Sequence, residues 1–162
     1  MPNELGLAPA ITFTAVGSGR EVSLQSPGIP ALLLVLAQET QHEADAVEAA
    51  VRAKWPDATQ VLVAHIVDLR KIPGLFHKVA EGVMSSEYEK AARTLAPGRQ
   101  PFDYCVILPD WKGEVATSLE LPEPSKSLSG VVLRVDGCVQ GTFVGSDGEA
   151  ALRLLTDATA TE

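Results

Sequence analysis

The chain has 162 residues, of which 46% are hydrophobic and 21% charged, so it holds enough apolar material for one folded domain over residues 1–162. Its formal net charge of −8 argues against nucleic acid and anionic membrane surfaces as partners, because both are bound through clustered Lys and Arg. The longest apolar run, Ile29 to Ala37, is far shorter than the roughly 20 residues that span a bilayer.

Two further features bear on the cellular compartment. The N-terminus, Met1 to Leu5, has neither the basic segment nor the apolar segment of a signal peptide. The two cysteines, Cys105 and Cys138, form no CxxC motif and no cluster of metal ligands. Unpaired cysteines are typical of a reducing compartment, so we expect a cytoplasmic protein.

The first half of the chain predicts a β-hairpin followed by a βαβ unit. Alternating apolar and polar residues predict strands over 11–14 and 21–24. Short apolar runs bounded by turn residues predict two buried strands, over Ala31 to Leu36 and Gln60 to Val67. Between the last two, apolar residues at helical spacing predict a helix over Thr40 to Trp55. Thr40 and Glu43 have the spacing of a capping box at its start.

The second half predicts helices alternating with strands. In chain order these are a long amphipathic helix over Leu75 to Leu95, a strand over Tyr104 to Leu108, a short helix over Glu114 to Leu121, and hairpin strands over 130–135 and 138–144. Ser146 is expected to cap a last helix that runs through Leu155.

Three passages of the sequence are similar to one known family. Gly19 to Leu24 resembles an opening "G-x-x-V-S-L", Leu108 to Ala116 a strand-to-helix "L-S-D-x-x-G-E-V-A", and Val131 to Val139 a closing "F-L-I-D-x-D-G-x-V" hairpin. In this order and spacing they resemble the alkyl hydroperoxide reductase/thiol-specific antioxidant (peroxiredoxin-like) branch of the thioredoxin-like superfamily. The resemblance implies an α/β thioredoxin-like (peroxiredoxin-type) fold, with a central mixed sheet flanked by helices and an N-terminal β-hairpin.

The functional motif of that family does not carry over. Its reactive cysteine lies just after the first buried strand, where the helix N-terminus stabilises a thiolate. The matching residues 37–44 of this chain contain no cysteine. The superfamily's cis-proline should fall near Leu128 or Ser129, where there is no proline, and Pro124 lies too early. Both differences are expected of a redox site that is no longer used.

Thr40, His42 and Glu43 occupy the position of the missing cysteine. One interpretation is structural, with Thr40 and Glu43 capping the helix and His42 exposed. The other is an acid–base or binding role, since a hydroxyl, an imidazole and a carboxylate can form a nucleophilic set. Nearly successive helix positions point to different sides, which favours the structural interpretation.

The remaining candidates are scattered along the chain. We expect Cys105 to be a buried, inert thiol and Cys138, after a turn, to be partly exposed. Placed at opposite sides of the predicted sheet, they should form no disulfide. Three histidines without cysteine partners predict no metal site: His65 is expected to be a hydrogen-bonded core residue and His77 to lie at the edge of a helix face. Trp111 is expected to be an exposed turn aromatic and a plausible contact residue.

The sequence favours a redox-inactive thioredoxin-like domain without a cofactor that acts as a binding or structural module. Its expected partner is an unidentified protein or a second copy, as in a homodimer. The alternative is a divergent thiol oxidoreductase or peroxidase that uses Cys105 or Cys138. A non-redox enzyme or small-molecule binder around His42 and Glu43 is a third possibility.

Overall fold

A short antiparallel hairpin opens the structure, a computed structural model that describes residues 6–160. Strands β1 (Thr12–Thr14) and β2 (Glu21–Ser23) pair with Phe13 opposite Val22, and both side chains are buried. The alternating pattern of the sequence predicted this hairpin, because one face of each strand packs on the core and the other meets solvent.

The central sheet has five strands. They are β3 (Ala31–Leu36), β4 (Leu62–Asp68), β5 (Ile107–Asp110), β6 (Ser129–Leu133) and β7 (Val139–Val144), in the spatial order β5-β4-β3-β6-β7. The β3–β4 and β4–β5 pairs are parallel, and the β3–β6 and β6–β7 pairs are antiparallel. The mixed sheet and its strand order confirm the predicted fold class.

Helices cover both faces of this sheet. They are α1 (Gln41–Lys54), α2 (His77–Arg93), α3 (Pro101–Tyr104), α4 (Glu114–Ser118) and α5 (Gly148–Ala160). On one face, α1 and α5 pack over Leu32 and Leu34 of β3. On the other face, the hairpin and α4 pack over Leu33 and Val35. None of the helices in the described range is both long and apolar enough to cross a lipid bilayer.

The strand predicted over Tyr104 to Leu108 begins later than expected. Pro101 starts the single helical turn α3, which ends at Tyr104, so the chain becomes extended only after Cys105. The strand then continues through Pro109, beyond the predicted end at Leu108. An edge strand tolerates proline because the missing N–H can fall on its unpaired side, and β5 is an edge strand.

The two predicted helix caps differ from the structure. Thr40 lies at the N-cap position of α1, as predicted, but its side chain makes no capping hydrogen bond, because Thr40 ends a single 3₁₀ turn over Gln38–Thr40 and its hydroxyl bonds elsewhere. At α5, the cap is Asp147 rather than Ser146: the Asp147 carboxylate accepts a 3.0 Å hydrogen bond from the Ala150 N–H. Aspartate caps helices about as well as serine does, so the residue type does not distinguish between these two neighbours.

Candidate functional site

The start of α1 is the place where the resemblance puts a reactive thiol. Thr40 is buried there, with 2% of its surface exposed. Its hydroxyl accepts a hydrogen bond from the Ala37 N–H at 3.1 Å and donates one to the Pro124 carbonyl at 2.9 Å. Thr40 therefore joins the end of β3 to the loop that precedes β6, and its hydroxyl is already engaged.

His42 and Glu43 are not brought together with Thr40. His42 is exposed and Glu43 half-buried, and within residues 6–160 neither side chain makes a hydrogen bond or an ion pair. The structure thus provides no base in contact with the Thr40 hydroxyl, which a nucleophilic set requires. Every peptide bond in the same range is trans, including those near Leu128 and Ser129.

A large cavity lies instead between α1, α2 and the β4–β5 edge of the sheet. Its volume is about 930 Å³. It exists because α2 stands away from the sheet: of the residues of α2, only Met84 is buried, whereas Val79 and Val83 are exposed. An amphipathic helix normally buries its apolar stripe, so α2 leaves the cavity with an apolar wall that is open to solvent.

Polar side chains converge on the α1 side of this cavity. His65 of β4 contacts the Glu48 carboxylate through Nε2 at 2.8 Å, and its Nδ1 lies 3.2 Å from the Gln41 amide nitrogen. The same amide nitrogen donates a 3.0 Å hydrogen bond to the Asp45 carboxylate. These four side chains form one connected network, which lines the cavity.

The network constrains the protonation of His65. The Gln41 amide donates to Nδ1, so Nδ1 is an acceptor and the proton of a neutral ring sits on Nε2, facing Glu48. Burial lowers the pKa of the imidazole, but the hydrogen bond and the charge of Glu48 outweigh it, with a contribution from Asp45, so the pKa is raised overall. The acidic neighbours and the amide therefore favour opposite protonation states.

Cys105 lies in the wall of the same cavity. It is buried, and burial raises the pKa of its thiol, with a further contribution from the Glu48 carboxylate. A raised pKa leaves little thiolate at neutral pH, so this thiol is a weak nucleophile. Cys138 is half-buried and precedes β7 at the opposite edge of the sheet, and both cysteines are free, as the sequence predicted.

The remaining aromatic and histidine candidates pack against each other. Trp111 is half-buried, contrary to the prediction of an exposed aromatic, because its ring stacks on His77 with 4.1 Å between ring centroids. His65 makes the polar contacts expected of a core histidine.

Comparisons with known proteins match the fold but not a sequence family. No protein-family model matches the chain, and no curated protein does. Among solved structures, a proposed thiol:disulfide interchange protein DsbE from Chlorobium tepidum is 15% identical, covers 94% of this chain and 95% of its own, and has a TM-score of 0.62. The chain has a thioredoxin-like fold.

Two further solved structures have the same fold. BsSco, of the Sco family of cytochrome c oxidase assembly proteins, is 13% identical, with 96% of this chain and 95% of that chain covered and a TM-score of 0.60. A secreted disulfide oxidoreductase from Mycobacterium tuberculosis is 16% identical over 91% of this chain and 96% of that chain, with a TM-score of 0.54. At these identities the likeness concerns the fold alone.

Sequence reasoning missed the network around His65. Gln41, Asp45 and Glu48 follow each other at spacings of four and three, which places them on one face of α1. This polar stripe was visible in the sequence. Its contact with a histidine of the next strand depends on the βαβ crossover, which the spacing of residues along the helix does not reveal.

Proposed function

We propose that this chain is a redox-inactive member of the thioredoxin-like superfamily, related to its peroxiredoxin branch, that acts by binding rather than by thiol chemistry. The observation that carries the proposal is the start of α1, where a buried Thr40 hydroxyl bonded to Pro124 takes the place of a thiol. The chain's two cysteines, one buried with a raised pKa and the other across the sheet, do not replace it. Such free thiols suit the cytoplasm.

An exposed apolar stripe on α2 and the turn before it supports a binding role. Leu75, Phe76, Val79 and Val83 recur at helical spacing, and each is more than half exposed. We propose a second copy of the chain as the occupant. The stripe is apolar and borders the cavity, so two copies packed through α2 would bury it and close the cavity mouth.

Self-association can be tested by sedimentation or light scattering over a range of concentrations. Val83→Lys should shift the protein to monomer, because a charge in the centre of an apolar interface is strongly unfavourable. Val144→Lys is the matched control, since Val144 on β7 is 53% exposed and Val83 is 54% exposed. A monomeric wild-type protein, or dissociation by Val144→Lys instead, would refute the interface.

Redox inactivity has its own test. Reduction of insulin disulfides by dithiothreitol and consumption of peroxide should both stay at the level of a heat-denatured control. An active thioredoxin serves as the positive control in each assay.

The second candidate is a divergent thiol oxidoreductase or peroxidase, and one observation favours it: Cys105 lines the large cavity. This candidate predicts turnover that is lost in Cys105→Ser or, for the other thiol, in Cys138→Ser. Turnover of that kind would replace the binding proposal.

A further inference from the structure

Three side chains with metal-binding groups meet at the edge of the cavity. The carboxylates of Asp45 and Glu48 and an imidazole nitrogen of His65 all lie within 4.8 Å of one another. Asp45 and Glu48 are three residues apart on α1, and His65 faces them from β4. We propose that Asp45, Glu48 and His65 bind a divalent first-row transition-metal ion. This proposal rests on the proposed binding function only in that it names a ligand for it.

The spacing of the groups suits a shared ion. Ligand nitrogen and oxygen atoms bind zinc at about 2.0–2.2 Å, so two ligands of one ion lie about 3.0 Å apart at right angles and about 3.4 Å apart in a tetrahedron. His65 Nε2 and Glu48 Oε1 are 2.8 Å apart, close to the first value. A small outward movement of either side chain would therefore make room for an ion that both atoms could bind.

The charge of the cluster also favours a cation. Two carboxylates face one imidazole, whereas Glu87 and Glu123, also on the cavity, are paired with Lys90 and Lys71. The charge of Arg52 interacts with that of Glu48, but the Arg52 guanidinium donates its hydrogen bonds to the carbonyls of Trp55 and Val61. A divalent ion would neutralise the excess negative charge.

Gln41 fits the role of an outer partner. When Nε2 of a neutral histidine binds a metal, the ring proton is carried by Nδ1 instead. Nδ1 then needs a hydrogen-bond acceptor. Gln41 presents its amide nitrogen to Nδ1 at 3.2 Å. Turning the amide by half a rotation presents its oxygen instead, so metal binding would switch both the His65 tautomer and the Gln41 amide.

The donor types narrow the choice of ion. One imidazole and two carboxylates suit Zn²⁺, Mn²⁺, Fe²⁺ or Co²⁺, whereas Cu⁺ prefers sulfur ligands. With three protein ligands, the remaining coordination positions face the cavity, as in open metal sites.

The test uses the whole chain stripped of metal with a chelator. Zn²⁺ binding is measured by calorimetry, and Co²⁺ is added as a visible-absorption probe of an ordered nitrogen- and oxygen-ligated site. We expect one ion per chain, and Kd raised at least about tenfold in Asp45→Asn, Glu48→Gln and His65→Gln. Asp45→Asn is the most informative, because Asp45 is exposed and its replacement leaves the His65–Glu48 contact in place.

Two control variants on the same helix separate this site from adventitious binding. His42→Gln and Glu43→Gln remove a neighbouring imidazole and carboxylate outside the cluster and should leave Kd unchanged. Absence of binding, wild-type affinity in all three cluster variants, or loss of affinity in His42→Gln or Glu43→Gln would each overturn the site. The oligomer and thiol assays do not depend on metal, so failure here would leave the proposed function standing.

Discussion

The hydroxyl of Thr40 donates a 2.9 Å hydrogen bond to the carbonyl of Pro124, 84 residues farther along the chain. The bond joins the start of α1 to the loop before β6. In the family that the sequence resembles, the reactive cysteine lies at the start of this helix. The cis-proline of that family lies a few residues after the position of Pro124. The two segments still meet in this chain, but through a structural contact.

Thr40→Ala should lower the free energy of unfolding by about 1–3 kcal/mol, because it leaves the Ala37 N–H and the Pro124 carbonyl without their partner in a buried place. Thr40→Ser keeps the hydroxyl and should lose less. Urea unfolding of the three proteins measures both values. Equal stability of wild type and Thr40→Ala would show that the contact contributes nothing.

The two thiols should differ sharply in reactivity. Cys138 is half-buried after a turn and should alkylate in the native protein, whereas Cys105 should react only after denaturation, because it is buried and its pKa is raised. Mass spectrometry of native and denatured samples after alkylation decides this. The cysteines precede strands at opposite edges of a five-stranded sheet, so a 105–138 disulfide in the folded protein would contradict the strand order.

The fold was largely predictable, because its strands are short apolar runs and its helices have clear periodicity. The wide cavity was not, because α2 has the same amphipathic pattern as a fully packed helix. Whether Val79 and Val83 reach the sheet depends on the length of the segments that connect α2 to β4 and β5, and periodicity says nothing of that. The capping hydrogen bonds were mispredicted for local reasons. The Thr40 hydroxyl bonds to Pro124 instead, and Asp147, the neighbour of Ser146, caps α5.

Two glycines should respond in opposite ways to the same substitution. Gly130 of β6 lies opposite Phe143 of β7, and an added Cβ would collide with that ring, so Gly130→Ala should destabilise by about 1–3 kcal/mol. Gly82 lies inside α2 with open space around it, so Gly82→Ala should stabilise by about 0.5–1 kcal/mol. Thermal unfolding gives both signs. A destabilising Gly82→Ala would mean that α2 packs more closely than the structure shows.

The His65–Glu48 pair should make stability depend on pH with a definite sign. The pKa of His65 is raised in the folded protein, mainly by Glu48 against the effect of burial, with Asp45 adding to it. Its contribution is therefore fully present below the unfolded pKa of about 6.5 and is lost as the pH rises through the higher folded value. Glu48→Gln should consequently reduce the free energy of unfolding more at pH 6 than at pH 9.

The matched control for this prediction is Glu43→Gln. Glu43 is on the same helix, and its carboxylate makes no ion pair with a described residue. It should change stability little and equally at both pH values. The measurement is chemical unfolding at each pH with chelator present, so that metal does not contribute. A larger loss at pH 9 than at pH 6 in Glu48→Gln would show that burial and the Gln41 amide, which favour the neutral ring, outweigh the carboxylates.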